Sequence, residues 1–267
     1  MELTSENYYS KEADKEYMSW HQFVDFVGYL GVSGCEERAI ATLDGKYERE
    51  TTDAMLVGSY VDSYFEGTLA EFKLQNPQIF TQKGELKAQY KRAEKMIERV
   101  KQDEFFMKMM SGQKQKIFTA YWEGTEWKCK LDSYIPGVAI VDLKTSSNIR
   151  KCWNVSDYGK CTFVEYWGYT GQLALYQKIV EICTGEKLPC YIAVVTKEDE
   201  PDIEVIGIDQ LTLDNALDYI KMNIASVLSV KNGDYAPMRC GHCEYCKRTK
   251  KLKGAIAMAD LIFEGGE

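Results

Sequence analysis

The chain has 267 residues, 45% of them hydrophobic and 28% charged, with a formal net charge of -8. That balance suits a globular chain with one sizeable core, and no apolar run approaches a membrane span or a signal-peptide core, so a cytoplasmic protein is expected. The acidic total argues against indiscriminate coating of nucleic acid, although Lys144 to Lys151 contains Arg150 and no acid, and Lys247 to Lys253 reads Lys-Arg-Thr-Lys-Lys-Leu-Lys.

The opening, to about Tyr17, is polar and is expected to be loose. Ser19 predicts the cap of a helix carrying Phe23, Phe26, Val27 and Leu30. A second helix is predicted from near Cys35 to before Gly45, and a third from Asp53 to about Leu69, with Gly58, Asp62 and Glu66 recurring on one face. Pro77 to Lys83 reads as a connecting loop. The charged segment from Glu85 to about Arg99 reads as an exposed helix that turns Leu86, Tyr90, Ala93 and Ile97 inward.

Strands are expected at Lys116 to Tyr121, Glu126 to Ile135 and Val138 to Thr145. An aromatic-rich stretch without clear period runs to Trp167, and a helix follows from about Tyr169 to Cys183, stopping near Gly185. Cys190 to Thr196 and Ile203 to Ile208 read as a hairpin, and Leu213, Leu217, Ile220, Ile224 and Val227 mark a late helix. These elements make one α/β core with a helical front end. The expectation is a single domain over 1–267, including amino-terminal helices 19–70 and a carboxy-terminal cysteine segment 235–267.

The run from Lys130 to Lys144 holds the chemistry. Alternation puts Trp127, Cys129 and Leu131 on one strand face and Lys128, Lys130 and Asp132 on the other; beyond the turn it groups Val138, Ile140, Asp142 and Lys144. Pairing across Pro136-Gly137 would bring Asp132 beside Asp142, where both could hold one hard cation while Lys144 reaches a substrate or the attacking water. Those are the parts of a metal-dependent phosphodiesterase, but they also suit a solvated hairpin face. Asp142 weighs against the bland reading, because it interrupts an apolar run where its charge needs a metal, an ion pair or water.

Of the nine cysteines, Cys240, Cys243 and Cys246 are bunched as Cys-x-x-Cys-x-x-Cys, close enough to surround one metal centre. A fourth ligand is missing locally. His242 could join the thiolates in a zinc site, though its place beside Cys243 makes the geometry awkward, and a flexible tail with reduced cysteines is the plain alternative. The scattered cysteines read as small core residues.

Three motifs in order carry a resemblance: Gly58-Ser59-Tyr60-Val61-Asp62; Asp132 with Asp142-Leu143-Lys144; and Gln172-Leu173-Ala174-Leu175-Tyr176. The chain resembles the PD-(D/E)XK nuclease superfamily, specifically RecE or exodeoxyribonuclease VIII-type phage and prophage exonucleases. The likeness extends to Tyr17 through Phe23 and to the closing cysteines. It departs at Asp142, where Glu is more frequent, and at Asp62, where many relatives use His; Asp can ligate a hard cation at either position.

The resemblance implies a restriction-endonuclease-like mixed central sheet flanked by helices. It implies Mg²⁺ or Mn²⁺ held by Asp62, Asp132, Asp142 and the Leu143 carbonyl, with Lys144 orienting or deprotonating the attacking water, and Gln172 and Tyr176 approaching the DNA strand. Thr145 and Ser146 are candidate phosphate contacts, and Trp153 and Tyr158 either stack on a base or pack. The expected activity is exonucleolytic degradation of linear duplex DNA, 5′ to 3′, for recombination, with a RecT-like annealing partner and a homo-oligomeric ring. By likeness to iron-sulfur nucleases, Cys35 would join Cys240, Cys243 and Cys246 on a four-iron four-sulfur cluster, with zinc as the alternative. Competing expectations are a CRISPR-associated-like 3′ or single-strand nuclease, a structure-specific endonuclease, and a non-catalytic DNA-binding module.

Overall fold

The computed structural model describes residues 1–155, 158–252 and 254–258. Ser19 accepts a hydrogen bond from the Gln22 N–H at 3.3 Å and starts helix α2, Trp20–Val27, whose Trp20, Phe23, Val24 and Phe26 are buried. Cys35 precedes α3, Glu36–Leu43, and Thr52 caps α4, Asp53–Glu66. The opening is not loose. It contains a further helix, α1, Lys11–Glu16, because two lysines distant in sequence hold it: Lys128 pairs with Asp14 at 2.7 Å, and Lys231 donates to the carbonyls of Asp14 and Tyr17.

After α4 the chain adds α5, Leu69–Gln75, a short 3₁₀ turn at Pro77–Ile79, the amphipathic α6, Ala88–Lys101, and α7, Glu104–Met109. The strands β1, Lys116–Trp122, and β2, Thr125–Leu131, form an antiparallel ribbon. The strand expected over Glu126 to Ile135 breaks at Asp132, and the chain enters a second sheet as β3, Ser133–Ile135, which pairs antiparallel with β4, Ala139–Ser146. The break has a physical cause: the Asp132 carboxylate takes the Leu143 N–H that a continuing ladder would use.

A small hairpin, β5 Trp153–Val155 and β6 Gly159–Cys161, occupies the aromatic stretch and leads through α8, Phe163–Tyr166, into α9, Tyr169–Thr184. Helix α9 carries the chain across to β7, Cys190–Thr196, which lies parallel to β4, and β7 turns into the antiparallel β8, Ile203–Ile208. The order is β3-β4-β7-β8, a mixed sheet. Helices α10, Gln210–Lys231, and α11, Glu244–Arg248, close the described chain. Of the cysteine segment expected over 235–267, residues 259–267 lie outside the described residues, as does Lys253 of the basic run.

Helices cover both faces of the sheet. Ala139, Val141 and Leu143 share a core with Val57, Tyr60 and Val61 of α4 and with α6 and α7. Ile140, Ile192 and Val194 point the other way, toward Leu173 and Ile179 of α9 and Ile220 of α10. Period two therefore turns Asp142 and Lys144 toward α9. No helix among the described residues is long and apolar enough to cross a membrane.

Two glycines set the approach of the helices. A Cβ on Gly58 would lie 3.3 Å from Thr145 Oγ1, so its absence lets α4 settle on the end of β4 and brings Asp62, one turn later, toward the acids. At Gly171 a Cβ would come within 2.0 Å of the Trp20 ring. Gly171→Ala is expected to overpack the α2–α9 contact and cost about 1–3 kcal/mol in urea unfolding; an unchanged midpoint would show that the contact relaxes freely.

Candidate active site

The acids meet where β2 breaks, beside the middle of β4. Asp132 Oδ2 accepts from the Leu143 N–H at 2.8 Å, and continuing the β3–β4 register beyond Ser133 and Val141 sets Asp132 opposite Asp142. Lys144 Nζ stands 2.5 Å from Asp142 Oδ2 and 4.7 Å from the centroid of the Tyr169 ring. From α9, Gln172 Nε2 donates to Asp142 Oδ1 at 3.2 Å and to Tyr176 Oη at 2.9 Å. Asp62 approaches from α4. Thus the structure brings together Asp62, Asp132, Asp142, Leu143, Lys144 and Gln172, with Tyr176 standing behind Gln172 in the core.

Burial and mutual repulsion make this cluster costly in its ionised form. Asp142 is 3% exposed; desolvation pushes its pKa from the ordinary 3.8 up to about 6, with Asp132 adding to the rise and Lys144 opposing it. Asp62 is also held well above its ordinary value, first by desolvation and then by Asp132. Burial alone would lower Lys144, but the Asp142 carboxylate outweighs it and keeps the ammonium charged.

The donor set fits a hard divalent cation. It consists of carboxylate oxygens, and an extended residue points its N–H and C=O to the same strand edge, so the Leu143 carbonyl faces the Asp132 side. Gln172 Oε1 is buried beside Asp142 without a hydrogen-bond partner among the described residues. Asp142 leans on Lys144 and Asp132 on the Leu143 N–H, contacts that compete with closer approach of the carboxylates.

Two neighbours were not singled out by sequence. Gln115 has a left-handed φ of 50°, and its Nε2 lies 3.4 Å from Asp132 Oδ1; nothing in the local sequence signals that conformation. His21 lies in a cavity shared with Tyr176, and desolvation there, followed by Lys144 and Arg49, lowers its pKa to about 4. Its position in α2 gave a clue only in company with Ser19 and Trp20.

Among the other candidates, Ser146 is engaged with the backbone of Asn148, and Thr145 faces Gly58. Trp153 stacks on Tyr166 at 4.5 Å with Lys151 4.2 Å from its ring centroid, and Tyr158 donates to Glu165.

The chain ends form a second site. Cys35, Cys240, Cys243 and Cys246 place all four sulfurs within 4.8 Å of one another, with 3.6 Å between Cys35 and Cys246 and 3.9 Å between Cys240 and Cys246. Burial opposes thiolate formation at Cys240, but the N–H groups of Cys243 and His242 prevail and bring it down to about 6. The His242 ring contacts the Cys240 carbonyl at 2.9 Å and is not needed to complete the four sulfurs. Arg239 pairs with Glu37 at 2.7 Å, and Tyr47 donates to Glu244, so the closing segment grips α3. Cys129, Cys161 and Cys190 are buried, whereas Cys152 and Cys183 are exposed.

A mixed sheet with acids and a lysine on an inner strand, flanked by helices, is the architecture of the PD-(D/E)XK nucleases, which use divalent metals. Residues 19–249 match the model of the PDDEXK-like domain of unknown function (DUF3799), and the chain belongs to that family. It is similar to the crystal structure of a protein from Eubacterium rectale described as a candidate exonuclease, at 54% identity, covering 98% of each chain with a TM-score of 0.96. A further solved structure, SSO0001, is similar at 12% identity over 68% of this chain and 80% of its own, with a TM-score of 0.27. No curated protein matches.

The raised pKa of Asp142 sets a pH dependence. The folded metal-free chain binds this proton more tightly than the unfolded chain, so the contribution is present below 3.8 and is lost as pH rises through about 6. A divalent cation competes with that proton. Mn²⁺ is therefore expected to raise the melting temperature more at about pH 7.5 than at about pH 5, as read by thermal denaturation; an equal rise at both pH values would place the ion elsewhere.

Proposed function

We propose that this chain is a Mg²⁺- or Mn²⁺-dependent DNA exonuclease that degrades linear duplex DNA from the 5′ end. The observation that carries the nuclease reading is the convergence of Asp62, Asp132 and Asp142 on Lys144 and Gln172 beside β4. The 54% identity to the Eubacterium rectale candidate exonuclease supports exonucleolytic action. The RecE-like resemblance is the source of the 5′ polarity, the recombination role, the RecT-like partner and the ring.

Asp132, Asp142 and the Leu143 carbonyl would hold the metal, with Asp62 contributing through the same cluster. When bound, the cation supplies a Lewis acid and offsets repulsion between the acids and a phosphodiester. Lys144 orients the attacking water and stabilises charge on the phosphate. Gln172 fixes the Asp142 carboxylate, and Tyr176 in turn fixes Gln172. Asp132→Ala and Asp142→Ala are each expected to reduce cleavage at least about 100-fold while the chain stays folded; a wild-type rate from either variant would remove that acid from the site.

The four cysteines are read as a structural metal centre tying the two ends of the single nuclease unit together. Their separations resemble the edges of a tetrahedron of thiolates about one zinc ion, about 3.8 Å when Zn–S is about 2.3 Å. The arrangement of one early and three late cysteines favours an iron-sulfur cluster by resemblance, and a cluster requires the sulfurs to spread. Anaerobic purification followed by metal and sulfide analysis separates these: one zinc per chain supports the first, iron with acid-labile sulfide the second, and neither overturns the metal centre.

Polarity is tested on linear duplexes labelled separately at each 5′ and 3′ end, with a closed circle as control. Early loss of 5′ label with an intact circle is expected. Early loss of 3′ label would favour the CRISPR-associated-like branch, and nicking of the circle an endonuclease.

A further inference from the structure

The nuclease reading leaves unused a pair of tyrosines in the opening segment, Tyr8 and Tyr9, that stand directly before α1. Their rings meet edge to face at 4.9 Å. Tyr8 is buried, whereas Tyr9 is 71% exposed. A lone exposed tyrosine is ordinary. This one is anchored: Lys128, only 2% exposed, donates to the Tyr8 carbonyl and to Asp14, and its ammonium lies 4.6 Å from the Tyr8 ring centroid. Lys231 secures the same segment from α10 through the Asp14 and Tyr17 carbonyls.

The exposed ring also carries a cation. Lys130 Nζ stands 4.4 Å from the centroid of Tyr9 and 5.4 Å from that of Tyr8. Lys130 lies two residues before Asp132, and both act electrostatically on Glu66 of α4, which places the ammonium beside the acid cluster. Tyr9 and Lys130 line two concavities: one contains Asp62 and Glu66, the other His21 and Tyr176. A strand whose phosphate reaches Asp132 and Asp142 therefore has an aromatic face and an ammonium within reach of its next nucleotide. Aromatic stacking with a cation for the backbone is how proteins hold unpaired nucleic acid without reading its sequence.

We propose that Tyr9 and Lys130 form a strand-holding subsite, in which an unpaired base stacks on the open face of Tyr9 and its phosphate meets Lys130. The inference deepens the nuclease reading and rests on it for the identity of the ligand as DNA. It makes Tyr9 a positioning residue that engages a frayed or single-stranded end.

The test compares wild type with Tyr9→Ala, Tyr9→Phe and Tyr9→Trp in cleavage, with Mg²⁺, of a linear duplex carrying a frayed single-stranded 5′ end, and measures binding of the same DNA by fluorescence anisotropy in an Asp142→Asn background. Tyr9→Ala is expected to raise KM, and the dissociation constant, by about 5- to 150-fold, the worth of one stacked base, with kcat within about threefold. Phe and Trp should restore both, since each keeps the aromatic face. An unchanged KM and dissociation constant in Tyr9→Ala would overturn the subsite, and so would Tyr9→Phe failing as badly as Tyr9→Ala. If no variant or wild type cleaves but anisotropy still depends on the Tyr9 ring, the subsite stands and the nuclease reading falls. If the wild type cleaves and binding ignores Tyr9, the reverse holds.

Discussion

Asp62, Asp132 and Asp142 are carboxylates that repel one another, and beside β4 they are held near each other and largely out of water. Burial raises Asp142 and Asp62, and among the described residues Lys144 supplies the positive charge in direct contact with the cluster. Much of the surrounding structure serves this arrangement. The strand breaks at Asp132, α4 approaches through Gly58, and α9 lends Gln172, with Gly171 allowing α9 to lie against Trp20. Unpaired buried charges are expensive, so a site of this kind persists where a cation or a proton can settle it. A protonated Asp142 and a metal-bound Asp142 are alternative answers to one electrostatic problem.

The walls of the site are tied down from far away in sequence. Lys128 of β2 and Lys231 of α10 hold the opening segment by its carbonyls and Asp14, and the sulfurs of Cys240, Cys243 and Cys246 meet Cys35 at the start of α3. Both devices fasten amino-terminal elements that line the cavities beside the acids. Loss of the cysteine centre would therefore act on the active site through geometry, by loosening α3 and the neighbouring α2, before it disturbed the central sheet.

The parts of this site legible in sequence are those governed by a short period. Alternation alone put Asp142 and Lys144 on one face, helical spacing put Asp62 one turn beyond Gly58, and Gln172 and Tyr176 fell four apart on α9. The resemblance supplied the order that joined them, and it alone brought Cys35 to the carboxy-terminal cysteines. Contacts made across the chain were hidden. The opening looked polar and loose because Lys128 and Lys231, which order α1, lie more than a hundred residues away. A continuous strand through Asp132 was the natural reading until its carboxylate was seen to take a backbone N–H from β4. Gln115 shows the same limit, since nothing in its side chain signals the left-handed backbone it adopts directly before β1.

The central claim is that the acid cluster is a divalent-cation site, and crystals of the wild-type chain grown with Mn²⁺ test it most directly. Anomalous diffraction is predicted to show a manganese peak bounded by Asp132, Asp142 and the Leu143 carbonyl, on the side facing Asp62, and no such peak in Asp142→Asn crystals. Saturating Mn²⁺ with no peak among these carboxylates, or a peak there that survives Asp142→Asn at full height, would contradict it.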